Sequence, residues 1–331
     1  MIARKLGANG PVVSAIGLGC MGMSDLYGAS DRAESVATIH AALDAGVTLL
    51  DTGDFYGMGD NEMLIAEALR GRPRDAVFLS VKFGAQRDPR GNWIGFDGRP
   101  SAVKTSLAYS LKRLGVDYLD IYRPARRDPN VPIEETVGAM ADMIKAGYVR
   151  YIGLSEVGPE TIRRAAAVHP IADLQIEYSL ISRGIENSIL PTCRELGVGL
   201  TAYGVLSRGL ISGHWRAGAQ SQAGDFRATV PRFQGGNLDK NLALVDEIKR
   251  VADAKGATVA QVAIAWALSR GDDIVPLIGA RRRDRLAESL GALDVTLDRA
   301  DLAALEKIAA AVAGERYAEA QMAHLDSEGR H

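Results

Sequence analysis

A (β/α)8 barrel is the fold that the sequence predicts, and three observations predict it. Short apolar runs of strand length alternate with longer helical patterns along the chain, as in consecutive parallel βαβ units. Eight such units fill about 290 residues, which suits a closed barrel of this size. Two of the runs end in a charged side chain and then break at glycine, Leu49-Leu50-Asp51-Thr52-Gly53 and Val81-Lys82-Phe83-Gly84. Charged residues at strand C-termini are where a parallel barrel gathers its chemistry.

Taken in order, residues 2–14 read as two short strands around Asn9-Gly10, a hairpin that would cap the N-terminal end of the barrel. The first barrel strand is Ile16 to Cys20. Ser30 and Asp31 offer N-caps for a helix to Ala45, and Gly46 stops it. Strand 47–51 precedes a helix near 60–70. Strand 77–82 precedes a helix at 101–114, entered through Pro100. Strand 118–122 precedes a helix at 132–146, opened by Pro132. Strand 149–154 precedes helix 159–168, and strand 173–177 precedes helix 186–196. Strand 199–203 is followed by a long loop and two helices, 239–254 and 258–270. Strand 274–277, a helix at 282–291 and an amphipathic helix at 298–312 complete the chain. The whole of 1–331 is expected to be one domain, with 313–331 as a C-terminal tail.

A doubly wound sheet is the competing fold, because Gly17-Leu18-Gly19-Cys20-Met21-Gly22 matches GxGxxG. That fingerprint needs a helix N-terminus directly after the glycines. Here the helix is delayed to about residue 31, and the only acid at the end of the second strand belongs to another motif.

Composition narrows the function classes. With 331 residues, 47% of them hydrophobic, the chain can bury a large core. A net charge of -2 and a pI near 6.2 give no basic surface for nucleic acid or an anionic membrane. No apolar run approaches membrane-spanning length, and Met1-Ile2-Ala3-Arg4-Lys5 lacks a signal-peptide core. Cys20 and Cys193 read as reduced thiols, so a cytoplasmic location is expected. His40, His169, His214, His324 and His331 form no ligand-spaced pair, so no metal is expected. Segments 83–100, 205–238 and 313–331 exceed ordinary loop length. The first two fall on the C-terminal face. Their Trp93, Phe96, His214, Trp215 and Phe233 either line a substrate pocket or pin the loops.

The chemistry centres on Asp51, Tyr56 and Lys82. A free phenol titrates near pH ~10, too high for ready exchange at neutral pH. An ammonium ~4 Å away can stabilise the phenolate by up to ~4 kcal/mol at an effective dielectric of ~20. That corresponds to a depression of up to roughly three units. Asp51 would keep Lys82 charged and aimed, leaving Tyr56 as a proton donor to a developing alkoxide.

Asp51-Thr52-x-x-x-Tyr56-Gly57 followed by the strand-end Lys82 resembles the aldo-keto reductases, and the resemblance extends over residues 3–312. It implies the same barrel, catalysis by Asp51, Tyr56 and Lys82, and reduction of an aldehyde or ketone with a nicotinamide cofactor. Gly22 and Met23 after the first strand, together with Asp51, join the implied cofactor contacts. Gly153-Leu154-Ser155-Glu156 and Asp173-Leu174-Gln175 match strand-end patterns in which Ser155 and Gln175 would hold the carboxamide. Glu156 stands where many members carry asparagine. In Thr201-Ala202-Tyr203-Gly204, Tyr203 would stack on the nicotinamide. Leu206, Ser207, Arg208 and Gly209 would wrap the pyrophosphate. Gly279, Ala280 and Arg281 would receive the 2′-phosphate, and Arg285, Glu288 and Ser289 the adenine. NADPH is the expected cofactor, with NADH as the alternative.

Ala125 stands where the family carries a histidine that helps hold the carbonyl oxygen, which suggests an enlarged pocket for bulky ketones. The expected partner is a small carbonyl substrate, on a monomer or weak homo-oligomer. A nicotinamide-binding regulatory subunit with little turnover is the alternative from another class. A barrel hydrolase or isomerase would need a metal or phosphate site that no other strand end supplies.

Overall fold

Alternate residues of a strand face opposite sides of its sheet, and this alternation sorts the eight runs in the computed structural model, which describes residues 1–24, 26–215 and 225–329. Leu50, Leu79, Val81, Tyr122, Leu174 and Ile176 point outwards into the layer between strands and helices. Leu49, Ile121, Val275 and Leu277 point inwards and fill the bottom of the lumen with Leu6 and Val13. Higher in the same inward register stand Asp51, Ser80, Lys82, Arg123, Asp173, Gln175 and Thr201, all buried. The lumen is therefore apolar below and ionic above.

The strands are Gly17–Gly19 (β1), Leu49–Gly53 (β2), Phe78–Phe83 (β3), Leu119–Pro124 (β4), Val149–Ser155 (β5), Ile171–Glu177 (β6), Gly199–Tyr203 (β7) and Ile274–Gly279 (β8). They pair in parallel in chain order, and β8 closes on β1 with Leu277 opposite Gly17. The fold is the expected (β/α)8, or TIM, barrel. The GxGxxG-like stretch runs into a single 3-10 turn, Met21–Met23, so no dinucleotide-binding helix follows it.

The helices are Arg32–Asp44 (α1), Asp60–Ala68 (α2), Pro100–Leu114 (α3), Ile133–Lys145 (α4), Pro159–Val168 (α5), Ile189–Glu195 (α6), Gly235–Lys255 (α7), Val259–Ser269 (α8), Arg283–Leu290 (α9), Arg299–Ala309 (α10) and Glu319–Met322 (α11). Asp31 caps α1 by accepting from the Glu34 N–H. Thr258 and Gln261 form a reciprocal capping box on α8. Helix α6 is shorter than the sequence suggests, because Ser188 at φ -146°, ψ -44° separates it from the 3-10 turn Gly184–Asn187.

The N-terminal hairpin pairs Ala3–Lys5 with Val12–Ser14 and closes the lower end of the barrel, as expected. Gly7 permits the closure. Its φ is +66°, and a Cβ there would lie 2.5 Å from the Gly197 carbonyl.

Two segments of more than ordinary loop length contain regular structure of their own. Within 83–100, Ala85–Arg87 pairs antiparallel with Trp93–Phe96. The turn between them is organised by Asp88, which accepts from the backbone of Arg90 and Asn92. The tail folds back through α11 and buries Met322 and Leu325, so it is not a free polar end. His331 and residues 216–224 of the loop 205–238 lie outside the described residues. No helix among the described residues is long and apolar enough to cross a membrane.

Beyond β2, Asp54 enters a crowded acidic corner. Its Oδ1 has no hydrogen-bond partner, and burial, with Glu62 beside it, lifts its carboxyl to about 7. An unfolded aspartate titrates near ~4. The folded chain therefore holds the extra proton between those values, and this residue costs stability as pH rises through that window. Asp54→Asn should raise the thermal midpoint more at pH 8.5 than at pH 5, with a gain on the order of 2 kcal/mol at the higher pH. Thermal unfolding of both proteins at the two pH values checks this.

Candidate active site

Sheet register decides which strand-end groups meet. Asp51 lies beside Ser80 across the β2–β3 ladder, and Lys82 lies beside Arg123 across β3–β4. The Asp51 carboxylate accepts from Lys82 Nζ in a short contact, from Ser80 Oγ at 2.8 Å and from Gln175 Nε2 at 2.7 Å. Arg123 Nη2 donates to Ser80 Oγ at 2.9 Å, and its Nη1 pairs with Asp173 at 3.0 Å. Thr201 donates to the same Asp173 oxygen. Two ion pairs thus span the lumen, joined through one serine hydroxyl.

Tyr56 sits above this layer, where the chain leaves β2. Gly57, Met58 and Gly59 all have positive φ, which turns the backbone sharply back into α2. Phe55 packs edge-on against Tyr56 at 4.7 Å and against Trp93 at 5.6 Å, so the small antiparallel pair forms one wall beside Tyr56. Lys82 Nζ lies 5.2 Å from the centre of the tyrosine ring. From the sequence, Lys82 is expected to depress the phenol. Instead burial, reinforced by the negative charge of Asp51, pushes it well above its usual value. The strongest opposing field comes from Arg126. The ammonium is committed to Asp51, and burial lowers its own affinity for the proton despite that pairing.

The residues that the family resemblance assigned to cofactor fall into two groups. Ser155, Gln175, Tyr203, Gly204, Ser207 and Arg208 surround the upper ends of β5 to β7. Their side chains are already engaged. Gln175 holds Asp51, Ser155 Oγ lies 3.4 Å from Arg126 Nη1, and Arg208 pairs with Glu177 at 2.9 Å. The backbone of Ser207 and Arg208 is left-handed, at φ 45° and 59°, a strained geometry in the loop through Leu206 and Gly209.

The second group lies beyond β8 and around the turn after β1. Gly22 packs under Arg281, while the Met23 side chain is core. Arg281 Nη1 donates to the carbonyls of Tyr27 and Ala29. Its neighbours are all neutralised: Arg282 by Asp284, Arg283 by Glu34 and Arg285 by Glu288. Among the described residues, Arg281 alone of this basic run has no carboxylate partner. Gly279 is open above it, and Ala280 and Ser289 are buried. His214 belongs here too, on Glu288 and Arg285, and not to a substrate wall. Trp215 and Phe233 pack edge-on at 5.0 Å and pin their loop.

Glu156, marked in the sequence only as a departure from asparagine, gains its role from Arg316, which no sequence motif singles out. Glu156 occupies a left-handed position at φ 51° and is fully buried. Its carboxylate accepts from Arg316 at 2.6 Å, from Tyr203 Oη at 2.6 Å, from Ser327 Oγ at 2.8 Å and from the Glu177 N–H. Burial alone would raise its pKa, but Arg316 holds it well below the usual carboxylate range. Tyr317 follows, sharing a 2.7 Å hydrogen bond with Tyr203 Oη. The tail is therefore fastened into the site through Glu156. A motif centred on strand ends could not locate Arg316 or Tyr317. The alternation Asp173-x-Gln175-x-Glu177 did carry the signal for its three inward groups.

No group of three potential metal ligands occurs among the described residues. Both cysteines are buried, and burial pushes both thiols far up, so neither is a nucleophile.

Comparison with known proteins agrees with this geometry. The chain is similar in structure to the glycerol dehydrogenase AKR11B4 from Gluconobacter oxydans, at a TM-score of 0.85 and 28% identity, covering 94% of this chain and 95% of that one. It is also similar to the thermostable aldo-keto reductase Tm1743, solved with the inhibitor epalrestat, at a TM-score of 0.76 and 27% identity, covering 93% and 100%. The model of the aldo/keto reductase family matches residues 15–310, and the chain belongs to that family.

Proposed function

We propose that the protein is an NADPH-dependent reductase of aldehydes or ketones, with Tyr56 as the proton donor. Membership of an oxidoreductase family gives the reaction type. The observation that carries the finer reading is the meeting of Asp51, Lys82 and Tyr56 at one barrel mouth, with Arg281, beyond β8, forming no ion pair with any described residue.

The bound nicotinamide would supply the hydride. Tyr56 is held protonated by its burial, the state a donor to a developing alkoxide requires. Loss of that proton leaves a phenolate, which the charges of Lys82 and Arg126 stabilise. Asp51 holds Lys82 in place, and Ser80 and Gln175 hold Asp51. The reverse direction uses the same groups. It is the direction named for the Gluconobacter oxydans relative, a glycerol dehydrogenase. At the far end, Arg281 and the open Gly279 suit a phosphate, and a fork-shaped guanidinium grips one better than an ammonium does.

Tyr56→Phe should remove most carbonyl reduction while leaving cofactor affinity near normal, because only the donated proton is lost. Stopped assays combined with cofactor fluorescence titration measure both, and wild-type turnover in this variant would sink the assignment. Lys82→Met should also cut kcat, because it removes the cation seated 5.2 Å from the centre of the Tyr56 ring.

Arg281→Ala should weaken NADPH binding by roughly ten- to a hundredfold, the range for a charge-assisted contact, and NADH binding far less. Kd values for the two cofactors decide this. Equal losses would place the 2′-phosphate elsewhere.

A further inference from the structure

Most cations at the barrel mouth sit in direct ion pairs. Lys82 is matched by Asp51, Arg123 by Asp173, Arg208 and Arg232 by Glu177, and Arg316 by Glu156 and Glu328. Arg126 forms no ion pair with any described residue. Its only hydrogen bonds run from Nη1, to the Ala125 carbonyl at 2.6 Å and to Ser155 Oγ at 3.4 Å. The Nε and Nη2 donors have no protein partner among the described residues, although the side chain is partly buried.

Its position is fixed by the strand before it. Residue 126 follows β4 by two positions, and the Ala125 N–H donates to the Phe83 carbonyl at 2.8 Å, tying this turn to the end of the Lys82 strand. The guanidinium acts on Tyr56, Lys82, Tyr203 and, from beyond ion-pair distance, Glu156, so its charge lies within the reacting region. Ala125, 3% exposed, puts only a methyl group beside it.

We propose that Arg126 is the substrate's anion anchor, and that the carbonyl compound reduced here carries a carboxylate close to the reacting carbon, as a 2-oxo acid does. The inference rests on the reductase reading and specifies its substrate class. Glu156 acts on Arg126 only from beyond ion-pair reach and is itself bound by Arg316, so the guanidinium keeps donors free for a ligand carboxylate. A guanidinium with free donors also matches the two oxygens of a carboxylate in a way that a single carbonyl oxygen does not. A carboxylate held on Arg126 would fix the neighbouring carbonyl under Tyr56 and supply the second hold on the substrate that Ala125 does not.

The test uses matched substrates, phenylglyoxylate and its methyl ester, with NADPH. The wild-type protein should prefer the acid in kcat/KM by about tenfold or more, expressed mainly in KM, as expected for one charge-assisted contact. In Arg126→Met that preference should collapse to near unity, and Arg126→Lys should retain part of it. A wild-type preference for the ester overturns the proposal. So does an equal loss of both substrates in Arg126→Met, which would confine the guanidinium to the Tyr56 phenolate or the carbonyl oxygen. Reduction of the ester independently supports the reductase reading. Should neither compound be reduced, that reading fails for this class, and calorimetric titration with benzoate judges the anion site alone. Binding lost in Arg126→Met supports the site, whereas binding that is absent or unchanged overturns it.

Discussion

A carboxylate buried inside a barrel is tolerable only if donors surround it, and Asp51 is the point at which this protein meets that demand. Two other strands contribute donors. Lys82 and Ser80 come from the neighbouring β3, and Gln175 reaches across the lumen from β6, 124 residues away in the chain. Removing one partner would strand charge in a medium that cannot solvate it. The same requirement propagates outwards. Ser80 also accepts from Arg123, Arg123 needs Asp173, and Asp173 is shared with Thr201. The upper lumen is thus held as one polar unit over an apolar plug of Leu49, Ile121, Val275 and Leu277. Tyr56 inherits its setting from this layer. It rests over a fixed ammonium and near a fixed carboxylate, and its phenol stays protonated because burial and Asp51 together outweigh the cations.

Above the barrel, irregular backbone concentrates where chemistry is expected. Among the described residues, the non-glycine residues with positive φ are Leu26, Met58, Glu156, Ser207 and Arg208, all in turns of the C-terminal face. Such conformations cost on the order of 1–3 kcal/mol each and persist only where their surroundings compel them. For Glu156 the compulsion is visible: four donor groups converge on its side chain, two of them from the tail. The tail is thereby coupled to the strand ends. Tyr317, next to the Arg316 anchored on Glu156, reaches Tyr203.

Much of the barrel was legible because its signals are local. Strand length, helix periodicity and caps such as Asp31 and Thr258 depend on a few neighbouring residues, and the strands fall within about two or three residues of their expected limits. The antiparallel pair at Ala85–Arg87 and Trp93–Phe96 was missed although its turn residues, Asp88-Pro89-Arg90-Gly91-Asn92, are present. Its strands are too short for the alternation of side chains to stand out.

The sequence by itself determined the fold class, the alternation that turns Asp51 and Lys82 inwards, and the family to which Tyr56 and its partners belong. These follow from side-chain period and from residues a few positions apart. Only the tertiary structure decided how the charges pair. Which of several arginines neutralises Glu156, Glu177 or Asp173 depends on strand register and loop closure across the barrel mouth, over separations of tens to hundreds of residues. That pairing leaves Arg126 and Arg281 without a direct ion pair among the described residues. It also reverses the direction in which the Tyr56 phenol is expected to shift, because burial is a property of the assembled barrel and not of the motif.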